Sequence, residues 1–277
     1  MNKSILARNL SIHGQLEEIT KALSADNIPV ILLKGIALIE LFPDYMGKRN
    51  MEDIDLLFRK QDISKARCVL QKLGYAPAPE DPWAFTRRGS SAYIDIIDEL
   101  WYMDNKETDK LWLECPRCKV SETAFHLPPD EFFLHIFAHA YIHHAQMESK
   151  WVDDLNLLRS EWGIKEETLN RRKLDSYGFA KLLEDYAGNK KGGLHAFIRN
   201  SSIPSKGHIL RFLYLPARKK MAYLAKTLFP SGDFLAYRYN LKGWVQLFIF
   251  RLLRPFLLLW NLLRFAGRFI TSLKFNA

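Results

Sequence analysis

One short stretch limits the folds open to this chain. Val30-Ile31-Leu32-Leu33 is an apolar run that ends in Lys34-Gly35, and a second apolar run, Asp53-Ile54-Asp55-Leu56-Leu57, follows one loop later. An apolar run too short for a helix, closed by glycine, predicts a buried strand that turns into a helix. Side chains alternate faces along a strand, so Asp53 and Asp55 fall on the same side of theirs. Carboxylates with apolar flanks need a counter-charge. A hard divalent cation such as Mg2+ supplies one, and a glycine turn opening a helix suits the phosphates of a nucleoside triphosphate. Asp-x-Asp alone is common on surface strands. The apolar flanks give it weight, as does a third carboxylate, Asp95, inside Ala92-Tyr93-Ile94-Asp95-Ile96-Ile97. Asp98 falls on the opposite face from Asp95, whereas Glu99 shares its face and is the alternative third acid.

The surrounding pattern predicts an α+β chain. Residues 4–25 read as an amphipathic helix ended by Asn27-Ile28-Pro29, and Gly35 opens a second helix to Leu41. Asp62 is expected to cap a helix to Leu73 that Gly74 closes. Residues 84–88 and 93–97 read as strands paired across a turn, and 110–120 as weakly extended. Pro128-Pro129-Asp130-Glu131 starts a helical part, with helices over 132–145 and 150–162 and more to about 229. The expected organisation is an α/β core over 1–127, a helical domain over 128–240 that completes the cleft, and a basic amphipathic C-terminal helix over 241–277. In fold class this is a small mixed β-sheet core flanked by helices, followed by a mainly helical C-terminal region.

Composition narrows the partners. A net charge of +9 favours anionic ones: nucleotides, nucleic acid or an acidic membrane surface. An aromatic share of 13% argues against disorder. Three cysteines, Cys68, Cys115 and Cys118, suit a reducing compartment. Arg8, His13 and Glu17 interrupt the N-terminal apolar positions, so no secretory signal is expected and the expected location is cytoplasmic.

With these residues in place, the chain resembles the poorly characterised bacterial nucleotidyltransferases of the DNA polymerase beta-like superfamily. Leu-Leu-Lys-Gly followed by Arg-x-x-x-Asp-Ile-Asp-Leu-Leu carries the resemblance. Leu73-Gly74-Tyr75, Tyr93-Ile94-Asp95-Ile96, His135-x-x-x-His139-Ala140, Trp151-Val152-x-Asp154-Leu155 and Leu228-Phe229-Pro230-Ser231 extend it across roughly residues 28–250. The resemblance implies a nucleotidyltransferase core in which Asp53, Asp55 and Asp95 hold Mg2+. Asp95 also helps deprotonate an acceptor hydroxyl. Lys34, Gly35 and Arg49 meet the triphosphate, and a nucleoside monophosphate is transferred with release of pyrophosphate. The acceptor would be a small molecule, a glycan precursor or a protein. Two departures stand out. The turn reads Lys34-Gly35-Ile36 where the superfamily usually has Gly-Ser or Gly-Gly, and the gap from Gly35 to Asp53 is longer than the common spacing. Two other readings stay open: a non-catalytic module that keeps the fold as a scaffold, and a toxin-like enzyme that modifies RNA or protein.

Other motifs admit plainer readings. His135, His139 and His143 recur at i, i+4, i+8 and could bind metal, line the cleft or simply pack. Cys115-Pro116-Arg117-Cys118 has half the ligands of a structural zinc site and no second pair. Asp154 either faces the cleft or pairs with a basic residue. Residues 244–269 are rich in Leu, Phe and Trp and contain Arg251, Arg254, Arg264 and Arg268, with no acid after Asp233. Their longest uncharged run, 255–263, is far short of the ~20 residues that span a bilayer. The arginines and Asn261 fall near one stripe, which makes a basic amphipathic helix, kinked or restarted at Pro255. Such a helix suits either an anionic membrane surface, placing the protein at the inner membrane face, or packing on protein. No RNA-binding signature accompanies it, so nucleic acid is not the expected partner.

Overall fold

The computed structural model describes residues 2–79, 81–188, 198, 200–201 and 206–275. Helix α1 (Lys3–Ala25) sends Ile12, Leu16, Ile19 and Leu23 inward, a spacing of three and four that makes one stripe. Asn2 caps it by accepting from the backbone N–H groups of Ser4 and Ile5. Strand β1 (Val30–Leu32) then leads into α2 (Lys34–Leu41), and β2 (Asp53–Leu57) into α3 (Ile63–Lys72). Strands β3 (Ala76–Ala78), β4 (Asp81–Thr86) and β5 (Tyr93–Ile97) follow. Next come α4 (Asn105–Glu114), β6 (Ala124–His126), α5 (Pro129–Ala138) and α6 (Ser149–Trp162). The strands form one mixed sheet in the order β3-β4-β5-β2-β1-β6. β2 runs parallel to β5 and β1 parallel to β6, while the other neighbours are antiparallel. The fold class is the expected α+β one. β2 lies between two paired strands, which is why Ile54, Leu56 and Leu57 are all buried.

Local differences from the sequence reading have physical causes. Residues 110–120 are expected to be extended, yet α4 occupies 105–114. Its signal is Asp104-x-x-Glu107, a capping box in which each side chain accepts from the other residue's backbone N–H. Asp62 precedes α3 without a side-chain capping bond, because its own backbone is already helical. Gly74 does close that helix, at φ +85°. β3 and β6 have three residues each, too few for periodicity to reveal; β6 exists because it pairs with β1.

The chain forms two compact units. The first comprises Met1–Ala140 and Met147–Asn170 and contains the whole sheet with α1–α6. The second comprises Tyr141–Gln146 and Arg171–Ala277 and is helical. In the second unit Gly178 separates the helices Arg171–Tyr177 and Phe179–Ala187 at φ +80°. A Cβ there would sit 1.9 Å from the Tyr214 carbonyl oxygen. Gly178→Ala is therefore expected to destabilise this unit by about 3 kcal/mol or more, since it combines left-handed strain with a backbone clash. Thermal unfolding followed by circular dichroism measures it. The expected helices between 187 and 206 fall largely on residues 189–197 and 202–205, outside the described residues.

Candidate active site

The β2–β5 pairing builds the site. In its parallel register Asp55 stands beside Asp95, with Asp53 two residues earlier and level with Tyr93. Because both strands alternate in step, the three carboxylates emerge on one face. Their oxygens lie within 4.8 Å of one another. Among the described residues this is where three or more potential metal ligands converge. Asp53 is exposed, Asp95 half-buried and Asp55 buried. Glu99, the alternative third acid, falls beyond the end of β5 and outside this cluster.

Lys34 meets the cluster from the neighbouring strand-to-helix turn. Its Nζ donates to Asp55 Oδ1 at 2.5 Å. Burial pulls the Lys34 ammonium down, but Asp55, Asp53 and Asp95 together more than offset this, and its pKa stays above the ordinary lysine value. Burial pushes Asp55 up, with Lys34 pulling the other way and Asp53 adding to the rise. Asp95 is raised to about 7, first by burial and then by the charges of Asp55 and Asp53. Lys34 also has φ +50°, the left-handed conformation that glycine adopts freely. The turn thus sets a lysine in a glycine-like backbone with its side chain paired to Asp55.

Gly35 and Arg49 meet on the other side of this turn. A Cβ on Gly35 would lie 3.4 Å from Met51 Cγ and 3.7 Å from Arg49 Nη2, both ordinary contact distances, so the guanidinium stands close over the start of α2. Arg49 is held rigidly. Its Nε donates to both oxygens of Asp154, at 2.9 and 3.0 Å, and its Nη1 to the Asn50 carbonyl. Tyr45 donates to the same Asp154 carboxylate at 3.2 Å, and Asn9 Nδ2 donates to the carbonyls of Met46 and Arg49. Asp154, on α6, is only 1% exposed, and of its two open readings the basic partner is the one seen. Tyr45 and Asn9 were not legible as site residues, because nothing in the local pattern distinguishes them from core or turn residues.

The other motifs separate. His135 shares a hydrogen bond with the Tyr102 hydroxyl at 3.2 Å, and His139 stands edge-on to Trp151. In the second unit His143 accepts from Arg211 at 2.5 Å and stacks on His144. The segment His139–His143 is a wider π-turn rather than a continuation of α5, and the three histidines are not grouped as metal ligands among the described residues. Cys115 and Cys118 are buried thiols pushed up to about 12 by burial, so neither is a poised thiolate.

Comparison with known proteins adds the following. No curated protein matches the chain in sequence. Two solved structures resemble it at 15% identity. One is the solution structure of the antibiotic-resistance factor ANT(2'')-Ia, with a TM-score of 0.44, covering 67% of this chain and 96% of that one. The other is the crystal structure of ANT(2'')-Ia in complex with adenylyl-2''-tobramycin, with a TM-score of 0.42, covering 62% and 97%. Likeness at this level carries no functional inference. The family model for uncharacterised nucleotidyltransferases matches residues 1–186, well over half the chain and all of the carboxylate site. By that match the chain belongs to this nucleotidyltransferase family.

Proposed function

We propose that the protein moves a nucleoside monophosphate from a nucleoside triphosphate to a hydroxyl-bearing acceptor, with Mg2+ held by Asp53, Asp55 and Asp95 and with pyrophosphate as the second product. The register that sets Asp55 beside Asp95, with Asp53 on the same face, carries this reading. The residues fit the ion: three hard carboxylate donors converge, and the cluster already draws a cation, the Lys34 ammonium, against itself. Bound there, Mg2+ would neutralise the triphosphate and stabilise charge on the departing oxygen.

The chain's own residues do the rest. Asp95, with its carboxyl near neutrality, is suited to take the proton of the acceptor hydroxyl as the new phosphate ester forms. Lys34 and Arg49 flank the first turn of α2 and present positive charge to the phosphates, while Gly35 keeps that turn free of a side chain. The Tyr45–Asp154 pair fixes Arg49, so its remaining N–H groups point from a pre-set position. The acceptor class stays as the sequence reading leaves it: a small molecule, a glycan precursor or a protein.

The test is twofold. Calorimetry with Mg2+ and each nucleoside triphosphate should show metal-dependent binding, and triphosphate labelled at the α-phosphate should pass its label to an acceptor while pyrophosphate is released. A protein that binds no triphosphate in the presence of Mg2+ would be the scaffold of the alternative reading. Relief of expression toxicity by Asp53→Asn would select the toxin-like variant.

A further inference from the structure

The C-terminal helix (Trp244–Phe275) runs unbroken through Pro255, whose ring removes one intrahelical hydrogen bond without ending the helix. Within the second unit it packs on the helices Ala217–Leu228 and Gly232–Arg238. At 3.6 residues per turn, Leu247, Phe250, Arg254 and Leu258 fall on one side, and these, with Pro255 beside them, are the partly buried positions among the described residues. Arg254 fastens that side: its Nε donates to the Thr227 carbonyl at 3.1 Å and its Nη1 to the Tyr239 hydroxyl at 2.9 Å. The opposite side carries Val245, Ile249, Leu252, Phe256, Leu259 and Leu263, all exposed. Trp244, Phe248 and Trp260 widen it, with Trp244 78%, Phe256 70% and Trp260 59% exposed. The arginines therefore do not act as one stripe. Arg254 serves the fold, whereas the exposed Arg251 and Arg264 flank the apolar face, one on each side. The side chain of Arg268 lies outside the described residues.

We propose that this face lies in the surface of an anionic lipid bilayer, with the helix axis parallel to the membrane plane. Three observations favour lipid over protein. The apolar face from Trp244 round to Trp260 spans roughly 160° of the helix, wider than the two-position seam of a coiled coil. Every charged residue after Asp233 is Lys or Arg, so the rim complements phosphate headgroups, whereas a second copy of the chain would set Arg against Arg. Both tryptophans stand at the face's margins, where an amphipathic ring reaches headgroup depth. Among the described residues no helix is long and apolar enough to cross a membrane, so this helix lies on the bilayer and does not span it.

Flotation of the full chain with vesicles tests this. Phosphatidylcholine vesicles containing phosphatidylglycerol should carry the protein upward, and vesicles of phosphatidylcholine alone should bind it roughly tenfold more weakly. The double variant Phe256→Ser/Trp260→Ser alters only exposed side chains and should keep its circular dichroism spectrum. It should lose roughly tenfold or more of the binding to anionic vesicles. Arg251→Gln/Arg264→Gln should restore the weak binding typical of neutral vesicles. A wild-type chain that stays in the soluble fraction overturns the proposal. So does equal binding to neutral and anionic vesicles, or flotation of the Phe256/Trp260 variant as strong as wild type. A concentration-dependent dimer that the same variant abolishes, without vesicle binding, assigns the face to self-association and overturns it too.

Discussion

Converting Asp53 and Asp55 to Asn together is expected to lower nucleotidyl transfer by about a thousandfold or more, while the protein stays folded. Asn keeps the shape of each side chain and removes the negative charge that draws a divalent cation. Asp95 alone is a single half-buried carboxylate and a poor remaining site for a divalent ion. The fold tolerates the change because the strand is held by its register and by Ile54, Leu56 and Leu57, not by the carboxylates. The amide oxygen that replaces the Asp55 carboxylate can still accept from the Lys34 ammonium, and Asp95 remains beside it as a counter-charge. Two measurements check this: transfer of α-phosphate label to an acceptor, and the melting temperature. Transfer by the double variant within tenfold of wild type, in a preparation with wild-type melting, would remove these residues from the chemistry.

The legible part of this molecule was the part whose physics is local. The strand–turn–helix at 30–41 and the Asp-x-Asp strand show as short apolar runs bounded by glycine and charge, and the structure has them within a residue of the expected bounds. Helix α4 has a local signal too, its capping box at Asp104-x-x-Glu107, where residues 110–120 are expected to be extended. What could not be read was the pairing. That Asp95 sits level with Asp55 is a property of the parallel register between two strands nearly forty residues apart. Likewise Asp154 reaches Arg49 across 105 positions of sequence, so its two readings could be separated only by tertiary structure. The π-turn at His139–His143 is a further case: α-helical spacing of the three histidines does not announce an irregular turn between the second and the third.

Lys34→Met should produce effects of opposite sign on two ligands. The Lys34 ammonium contacts Asp55 and is held charged by all three acids, so it competes with any cation for the same oxygens. Removing it should raise the affinity for Mn2+ or Mg2+ added without nucleotide by roughly tenfold at a pH well above the Asp95 pKa, where the acids are ionised and have lost their internal counter-ion. If the proposed phosphate roles of Lys34 and Arg49 hold, the same change should lower triphosphate affinity by roughly tenfold, since Arg49 alone would then face the phosphates. The sign of the pH dependence follows from Asp95. Its pKa lies above the unfolded value, so below about 7 the folded protein holds a proton that metal must displace. Metal affinity should therefore rise with pH up to about 7 and level off above it. Stability without added metal should fall over the same rise, from the ordinary carboxylate range to about 7, because folding then opposes ionisation of Asp95. Lys34 holds the Asp95 pKa down, so in the Met variant the metal-binding midpoint should move to higher pH. Titration calorimetry with metal alone, repeated across pH for both proteins, measures each of these shifts. Equal metal affinity in wild type and variant would show that the lysine is a bystander, while Asp-dependent binding of the triphosphate–metal complex would still leave the carboxylate site standing.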